Sequence, residues 1–188
     1  MPIASTRAPA LLLLSLGCGV ACRQVPPEDR VGPLLAAIDD RLELGEEVAR
    51  SKWNSKAPIE DLAREAQVVS AAVDRASAFG LDPAAVEAFL RAQIEASKRL
   101  QRERHEAWNA EGRGPFETTA DVGRDLRPAL DRLTTTLLER LAAAAPVLAE
   151  EGGREALLAR AASDAPVDGA RRRAREIALG PLVEPGSR

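Results

Sequence analysis

The sequence predicts an all-α protein, a single-domain helical bundle of about six helices that follows a cleaved signal segment. Composition is the first reason: only 3% of residues are aromatic and none is Tyr, while Ala, Leu, Arg and Glu dominate, which favours helix over a sheet of β-branched and aromatic side chains. Long stretches repeat apolar residues at helical spacing, which is the second. The third is balance, since 188 residues with 45% apolar and 29% charged suffice for one core. A formal net charge of −3 excludes a general nucleic-acid surface, because phosphate binding needs a basic field over a large area. An anionic ligand must instead be held by a local cluster of Arg and Lys.

Residues 1–22 carry one charge, Arg7, and then the apolar run Ala10-Leu11-Leu12-Leu13-Leu14-Ser15-Leu16-Gly17. That run is shorter than the ~20 residues a spanning helix needs and reads as a secretory signal. The expected localisation is therefore export to the periplasm or envelope. Both cysteines, Cys18 and Cys22, follow small residues at the end of the run, as in bacterial lipoprotein signals, so a lipid tether at either one stands beside plain cleavage near Ala21. Neither cysteine can staple the mature fold. Residues 23–30 read as a polar linker, 31–180 as the helical domain and 181–188 as a tail.

A first helix is expected from Leu34 to about Lys56, with Leu34, Leu35, Ile38, Leu42, Val48 and Ala49 on one face. Pro58 stops it and suits the first turn of a second helix running to Phe79-Gly80, the two forming a hairpin. Asp82-Pro83 supplies a cap and a first-turn proline for a third helix to about Glu111. Thr118 or Thr119 would cap a fourth that contains Leu126, Leu130, Leu133 and Leu137, with Pro128 and Pro146 as kinks. Gly152-Gly153 and Pro166 divide the remainder into short helices near Glu155–Ala162 and Asp168–Leu179, with an irregular tail from Gly180.

The informative polar residues lie on the first three helices. Arg41 and Lys52 are eleven residues apart, about three turns, and so share a face. Asp61 and Glu65 are i,i+4 neighbours on the second helix, as are Ser97 and Gln101 on the third. Three helices can thus present cations, carboxylates and neutral donors to one cavity. Charged residues at helical spacing are ordinarily a solvated face, so spacing alone names no reaction.

Taken in order, Arg41-Leu42, Val48-Ala49, Lys52-Trp53, Pro58-Ile59, Asp61, Arg64-Glu65, Gly80-Leu81-Asp82, Phe89, Gln93-Ile94, Ser97, Gln101 and Trp108 resemble the helical chorismate mutases, in particular their secreted subclass. The resemblance runs from about residue 34 to 133, and the Lys-Trp, Pro-Ile, Asp, Arg-Glu spacing is its specific part. It implies a chorismate mutase II-like fold and the Claisen rearrangement of chorismate to prephenate, with no cofactor and no metal. It further implies that Arg41 and a distal arginine hold the two substrate carboxylates and that Arg64 extends the cationic wall. Lys52 and Gln101 would donate to the ether oxygen, Glu65 with the Asp61 segment would accept from the substrate hydroxyl, and Ser97 would fix the ring carboxylate. Cytosolic relatives take the distal cation from a second chain and secreted ones from their own fourth helix. Arg127 is the expected residue here, with Arg124 as the alternative, and a homodimer is compatible with the resemblance. Some secreted relatives carry a disulfide in the C-terminal half that this chain cannot form. Where relatives have Glu in place of Gln101 the carboxyl must be protonated to donate, whereas the amide donates at any ordinary pH.

Other features have plainer readings. His105, the sole histidine, sits among Arg102, Glu103, Arg104 and Glu106 and reads as part of a solvated face. Trp53 and Trp108 read as core or pocket lining. Arg171-Arg172-Arg173 and Arg175 read as surface, with contact to anionic lipid as the alternative. Two non-enzymatic readings stand against the mutase: an envelope-anchored binding protein with the same fold, and a short helical lipoprotein that only bridges envelope components.

Overall fold

Six α-helices around a shared apolar interior make up the computed structural model, which describes residues 30–164 and 168–183. The expected leader, its two cysteines and most of the linker lie outside the described residues. No strand occurs among those described.

Helix α1 (Val31–Ser55) buries Leu34, Leu35, Ile38, Leu42 and Ala49 on one stripe, and that stripe also buries Arg41, Gly45 and Ser51. It ends at Lys56, which turns left-handed with φ 56°. The second helix does not begin at Pro58 as expected. Residues 57–60 stay in an irregular loop, and α2 (Leu62–Val73) starts only after Asp61 accepts a hydrogen bond from Arg64 N at 3.2 Å. Proline removes a donor and biases its predecessor away from helix, and the Lys52 ammonium secures the loop by donating to Ile59 O at 2.6 Å. Nor do α1 and α2 form a packed hairpin, because α2 turns away to lie on α3 and α4. A 3₁₀ turn (Ala76–Phe79) and Gly80 (φ 68°) close it off, where the sequence had suggested continuous helix.

Asp82 caps α3 (Pro83–Ala110) by accepting from Ala85 N at 2.8 Å, with Pro83 in the first turn as expected. This 28-residue helix is the central strut and packs against α1, α2 and α6. The fourth helix begins later than Thr118 or Thr119. Asp121 is the cap, accepting from Arg124 N at 2.6 Å, and a π turn (Val122–Leu126) leads into α4 (Arg127–Ala149). Pro128 thus falls in a first turn, where its missing N–H costs nothing. The joint to α5 (Gly153–Ser163) is tight enough that a Cβ on Gly153 would lie 1.8 Å from Val147 O, which only glycine tolerates.

Asp168 caps α6 (Gly169–Val183), accepting from Ala170 N at 2.8 Å and Arg171 N at 3.0 Å. The helix continues through Val183, past the irregular tail expected from Gly180. Ala174, Ala178 and Leu179 of α6 and Leu157 of α5 join Leu34, Ile38, Phe89, Leu90, Leu137 and Leu138 in one core. The C-terminal third is therefore structural, and it is pinned by polar contacts as well. Gln93 Nε2 donates to Ala178 O at 2.9 Å, and the buried Arg175 donates to Asp164 O at 2.8 Å and Ala161 O at 3.2 Å while pairing with Asp39 at 3.1 Å. The arginine run is largely engaged within the fold: Arg171 pairs with Glu46 and Arg173 with Glu103. Those two pairs hold the run against α1 and α3, which agrees with its reading as surface.

Candidate active site

Each wall of the main cavity is a helix stripe that the fold turns inward. From α1 come Arg41, Val48 and Lys52; the loop and first turns of α2 give Asp61, Arg64 and Glu65. Helix α3 adds Ile94, Ser97, Lys98 and Gln101, and the fourth side is built from Asp121, Arg127, Asp131 and Thr134. The cavity measures ≈ 540 Å³, within the range that encloses a small organic ligand. All eight expected site residues, Arg41, Lys52, Asp61, Arg64, Glu65, Ser97, Gln101 and Arg127, line it from a single chain. Arg124 does not: its side chain is 79% exposed and pairs with its neighbour Asp125.

Arg41 is the most telling residue. It is 5% exposed, its Nη1 reaches Thr134 Oγ1 only at 3.4 Å, and its Nε is buried without a hydrogen-bond partner. Burial pushes its pKa down to about 10, with the Asp131 carboxylate partly opposing. A guanidinium has five donors, and folding alone gives no reason to bury one this poorly satisfied, since replacing buried charge by apolar groups is often stabilising.

Lys52 is half-buried, and burial holds its ammonium below the ordinary lysine range; Asp61 and Glu65 pull it back up and Arg127 pushes it down. Glu65 is fixed at both oxygens, accepting from Asp61 N at 3.2 Å and from Lys98 Nζ at 3.1 Å. Burial lowers the pKa of Lys98, but its bonds to Glu65 and Glu95 outweigh this and raise it. Gln101, 4% exposed, donates Nε2 to Ser97 Oγ at 3.1 Å. Because an amide nitrogen has two hydrogens and a hydroxyl can donate while accepting, both side chains retain a donor for a ligand.

Two ion pairs cross the cavity mouth. Arg64 Nη2 donates to both carboxylate oxygens of Asp131, at 2.7 and 2.8 Å, and Arg127 Nη2 donates to Asp61 Oδ2 at 3.0 Å. Their side chains are 32–54% exposed, so each pair contributes at most ~1 kcal/mol and is readily exchanged. A dicarboxylate entering the cavity can therefore displace Asp131 and Asp61 from these guanidinia at little cost.

Lys98, Asp131 and Thr134 were missed from sequence, yet each had a periodic signal. Lys98 completes the 94, 97, 98, 101 stripe of α3, and Asp131 and Thr134 lie four and seven residues after Arg127. The aromatic residues sit elsewhere than expected. Trp53 and Trp108 line neither core nor cavity; they cluster with His105 and Phe116, with ring centroids 4.8–5.7 Å apart. His105 is half-buried and one ring nitrogen bonds Ala49 O at 2.9 Å, so it bridges α3 to α1 where a solvated face was expected. This cluster holds the 111–121 loop: Trp53 Nε1 donates to Gly114 O at 3.2 Å, and the Asn54 amide both donates to Phe116 O and accepts from Phe116 N at 2.8 Å. That loop delivers Arg127 to the cavity.

Comparison with known proteins agrees with this architecture. The family model for chorismate mutase type II matches residues 33–102, which span α1, α2 and most of α3. The secreted chorismate mutase of Mycolicibacterium smegmatis is 31% identical over 116 residues, 62% of this chain and 64% of that protein. The aligned segment spans 59–64% of the curated relatives' own length. Solved structures match over more of the chain. Chorismate mutase from Burkholderia thailandensis superposes with a TM-score of 0.76 at 35% identity, covering 82% of this chain and 99% of that one. The enzyme from Burkholderia phymatum gives 0.76 at 28% identity, covering 85% and 99%. With the ordered site residues on one cavity and a 35%-identical chorismate mutase covered almost end to end, the chain belongs to the type II chorismate mutase family.

Proposed function

We propose that this protein rearranges chorismate to prephenate in its own single-chain cavity. The observation that carries the reading is the buried, under-satisfied Arg41 guanidinium among Lys52, Gln101 and Ser97 donors. Chorismate is a dianion, and its rearrangement is intramolecular, so the protein must select the compact conformer and stabilise charge growing on the breaking ether oxygen. Preorganised donors in a site shielded from water accomplish this. Arg41 and Arg127 clamp the two carboxylates, for which the planar guanidinium fork is suited. Lys52 and the second N–H of Gln101 donate to the ether oxygen. Glu65, its oxygens fixed by Asp61 N and Lys98, accepts from the substrate hydroxyl. Ser97 donates to the ring carboxylate, and Arg64 contributes positive potential once Asp131 is displaced.

The relatives named secreted, together with the leader-like N-terminus, support export to the periplasm or envelope, with lipid attachment at Cys18 or Cys22 as the finer proposal. Intact mass of the processed protein tests this, since a diacylglyceryl adduct on either cysteine identifies the anchor and its absence discards it. A homodimer is not needed for catalysis on this reading, because one chain supplies every cation of the site. The direct test is calorimetric titration with a bicyclic dicarboxylate that mimics the transition state. Saturable binding by the parent, lost in Arg41→Met, supports the mutase; a folded parent that fails to bind points to an envelope binding protein that shares the fold.

A further inference from the structure

Gly45 lies on the active-site stripe of α1, four residues after Arg41 and seven before Lys52, and it is buried. Glycine inside a helix is destabilising relative to alanine, so a glycine in the middle of a 25-residue helix calls for a reason. A Cβ built there would stand 2.8 Å from Ser97 Oγ, but 3.6 Å from Ser97 Cβ and 3.9 Å from Leu100 Cδ2. Only the hydroxyl oxygen is too close; the carbon contacts are ordinary. An added methyl would therefore rotate Ser97 about χ1 without parting the two helices. That oxygen accepts the Gln101 Nε2–H at 3.1 Å, while Gln101 Oε1 is buried with no partner of its own. Ser97 Oγ is thus the contact that orients the Gln101 amide.

We infer that Gly45 is a positioning residue, whose missing side chain holds the Ser97 hydroxyl in the rotamer that aims the Gln101 amide into the cavity. The catalytic part of this inference rests on the proposed mutase reading; the rotamer part does not. Gly45 touches no ligand, and its effect reaches the site only through Ser97 and Gln101. Stability and activity then move in opposite directions: alanine favours the helix but misaligns a donor pair.

The test compares the full chain with Gly45→Ala, Ser97→Ala and the double variant. Gly45→Ala should melt at the parental temperature or about 1–4 °C above it, and its kcat/KM for chorismate should fall about 10- to 100-fold, in kcat through the misaligned Gln101 amide and in KM through the lost Ser97 contact to the ring carboxylate. In the Ser97→Ala background the oxygen is gone, so adding Gly45→Ala should change kcat/KM by less than about twofold. A crystal structure of Gly45→Ala should show Ser97 in another rotamer and the bond to Gln101 broken. Parental activity in Gly45→Ala, losses that multiply in the double variant, or an unmoved Ser97 would each overturn the inference. Failure of the mutase reading would look different, as an inactive parent beside a Gly45→Ala structure that still shows the Ser97 rotation.

Discussion

Replacing Arg41 with methionine should make the free protein more stable and the liganded protein less so. A pKa pushed down to about 10, burial outweighing the attraction of Asp131, corresponds to roughly 3 kcal/mol of net cost for the charged side chain at neutral pH. Methionine, of similar length, removes that cost. It also removes the single 3.4 Å contact to Thr134, a hydrogen bond whose net contribution is about 1 kcal/mol at most. The expected balance is a gain of about 2 kcal/mol, seen as a Tm rise of about 4–8 °C for a chain of this size. Adding a dicarboxylate transition-state mimic at about 100 times its Kd should stabilise the parent by about 2.7 kcal/mol and leave Arg41→Met unmoved, so the order of the two proteins inverts. Differential scanning fluorimetry with and without the mimic reads both effects. An Arg41→Met variant that melts below the parent without ligand would mean that the guanidinium is a structural ion and that its poor satisfaction says nothing of a ligand.

Gln101 is 4% exposed and neutral, so the parent should keep its rate between about pH 7 and pH 5, with an alkaline limb set by Lys52 below the ordinary lysine range. Gln101→Glu should instead gain activity as pH falls, on the order of tenfold per pH unit above the carboxyl's pKa, because only the protonated acid donates. A parent rate that climbs steeply toward pH 5 would contradict the role given to Gln101. Arg127→Ala should raise KM for chorismate about 10- to 100-fold, the worth of a charge-assisted hydrogen bond. Arg124→Ala, altering a side chain 79% exposed, should leave steady-state kinetics unchanged, and the reverse pattern would reassign the distal cation. Asn54→Ala removes both bonds to the Phe116 backbone and should raise KM by freeing the loop before Arg127. The double variant Asn54→Ala/Arg127→Ala should then be no worse than Arg127→Ala alone, and additive losses would show that the loop acts elsewhere.

What could be read from sequence was what depends on nearby residues. Asp82-Pro83 places the start of α3 correctly because a carboxylate cap and a first-turn proline act within one turn. Arg41, Lys52, Ser97 and Gln101 reach one cavity because helical periodicity already put each pair on one face. Arg127 and Arg124 are distinguished by the π turn between Asp121 and α4, which leaves Arg127 on the cavity wall and Arg124 exposed, and no local pattern announces that turn. The delayed starts of α2 and α4 have the same origin. Lys52 holds the Pro58 loop open through Ile59 O, and Asn54 with Trp53 holds the 111–121 loop, contacts made across seven and about sixty residues respectively. His105 looked solvated because its sequence neighbours are charged; its partners, Ala49 and Trp53, come from another helix. Gln93 belongs to the ordered resemblance for a structural reason, its amide donating to Ala178 O in α6 across eighty-five residues.

The proposed mutase function places Lys52 on the breaking ether oxygen of chorismate in this cavity. It is tested most directly by following the loss of chorismate absorbance with purified residues 23–188 and with Lys52→Ala, both verified as helical by circular dichroism. Lys52 lies half-buried with its ammonium on Ile59 O, and its removal should lower kcat by about 10²- to 10³-fold, the loss typical of a donor to developing charge. Turnover by the parent and that collapse in a folded variant are the predicted result. A folded parent without turnover, or a Lys52→Ala variant as fast as the parent, would contradict it.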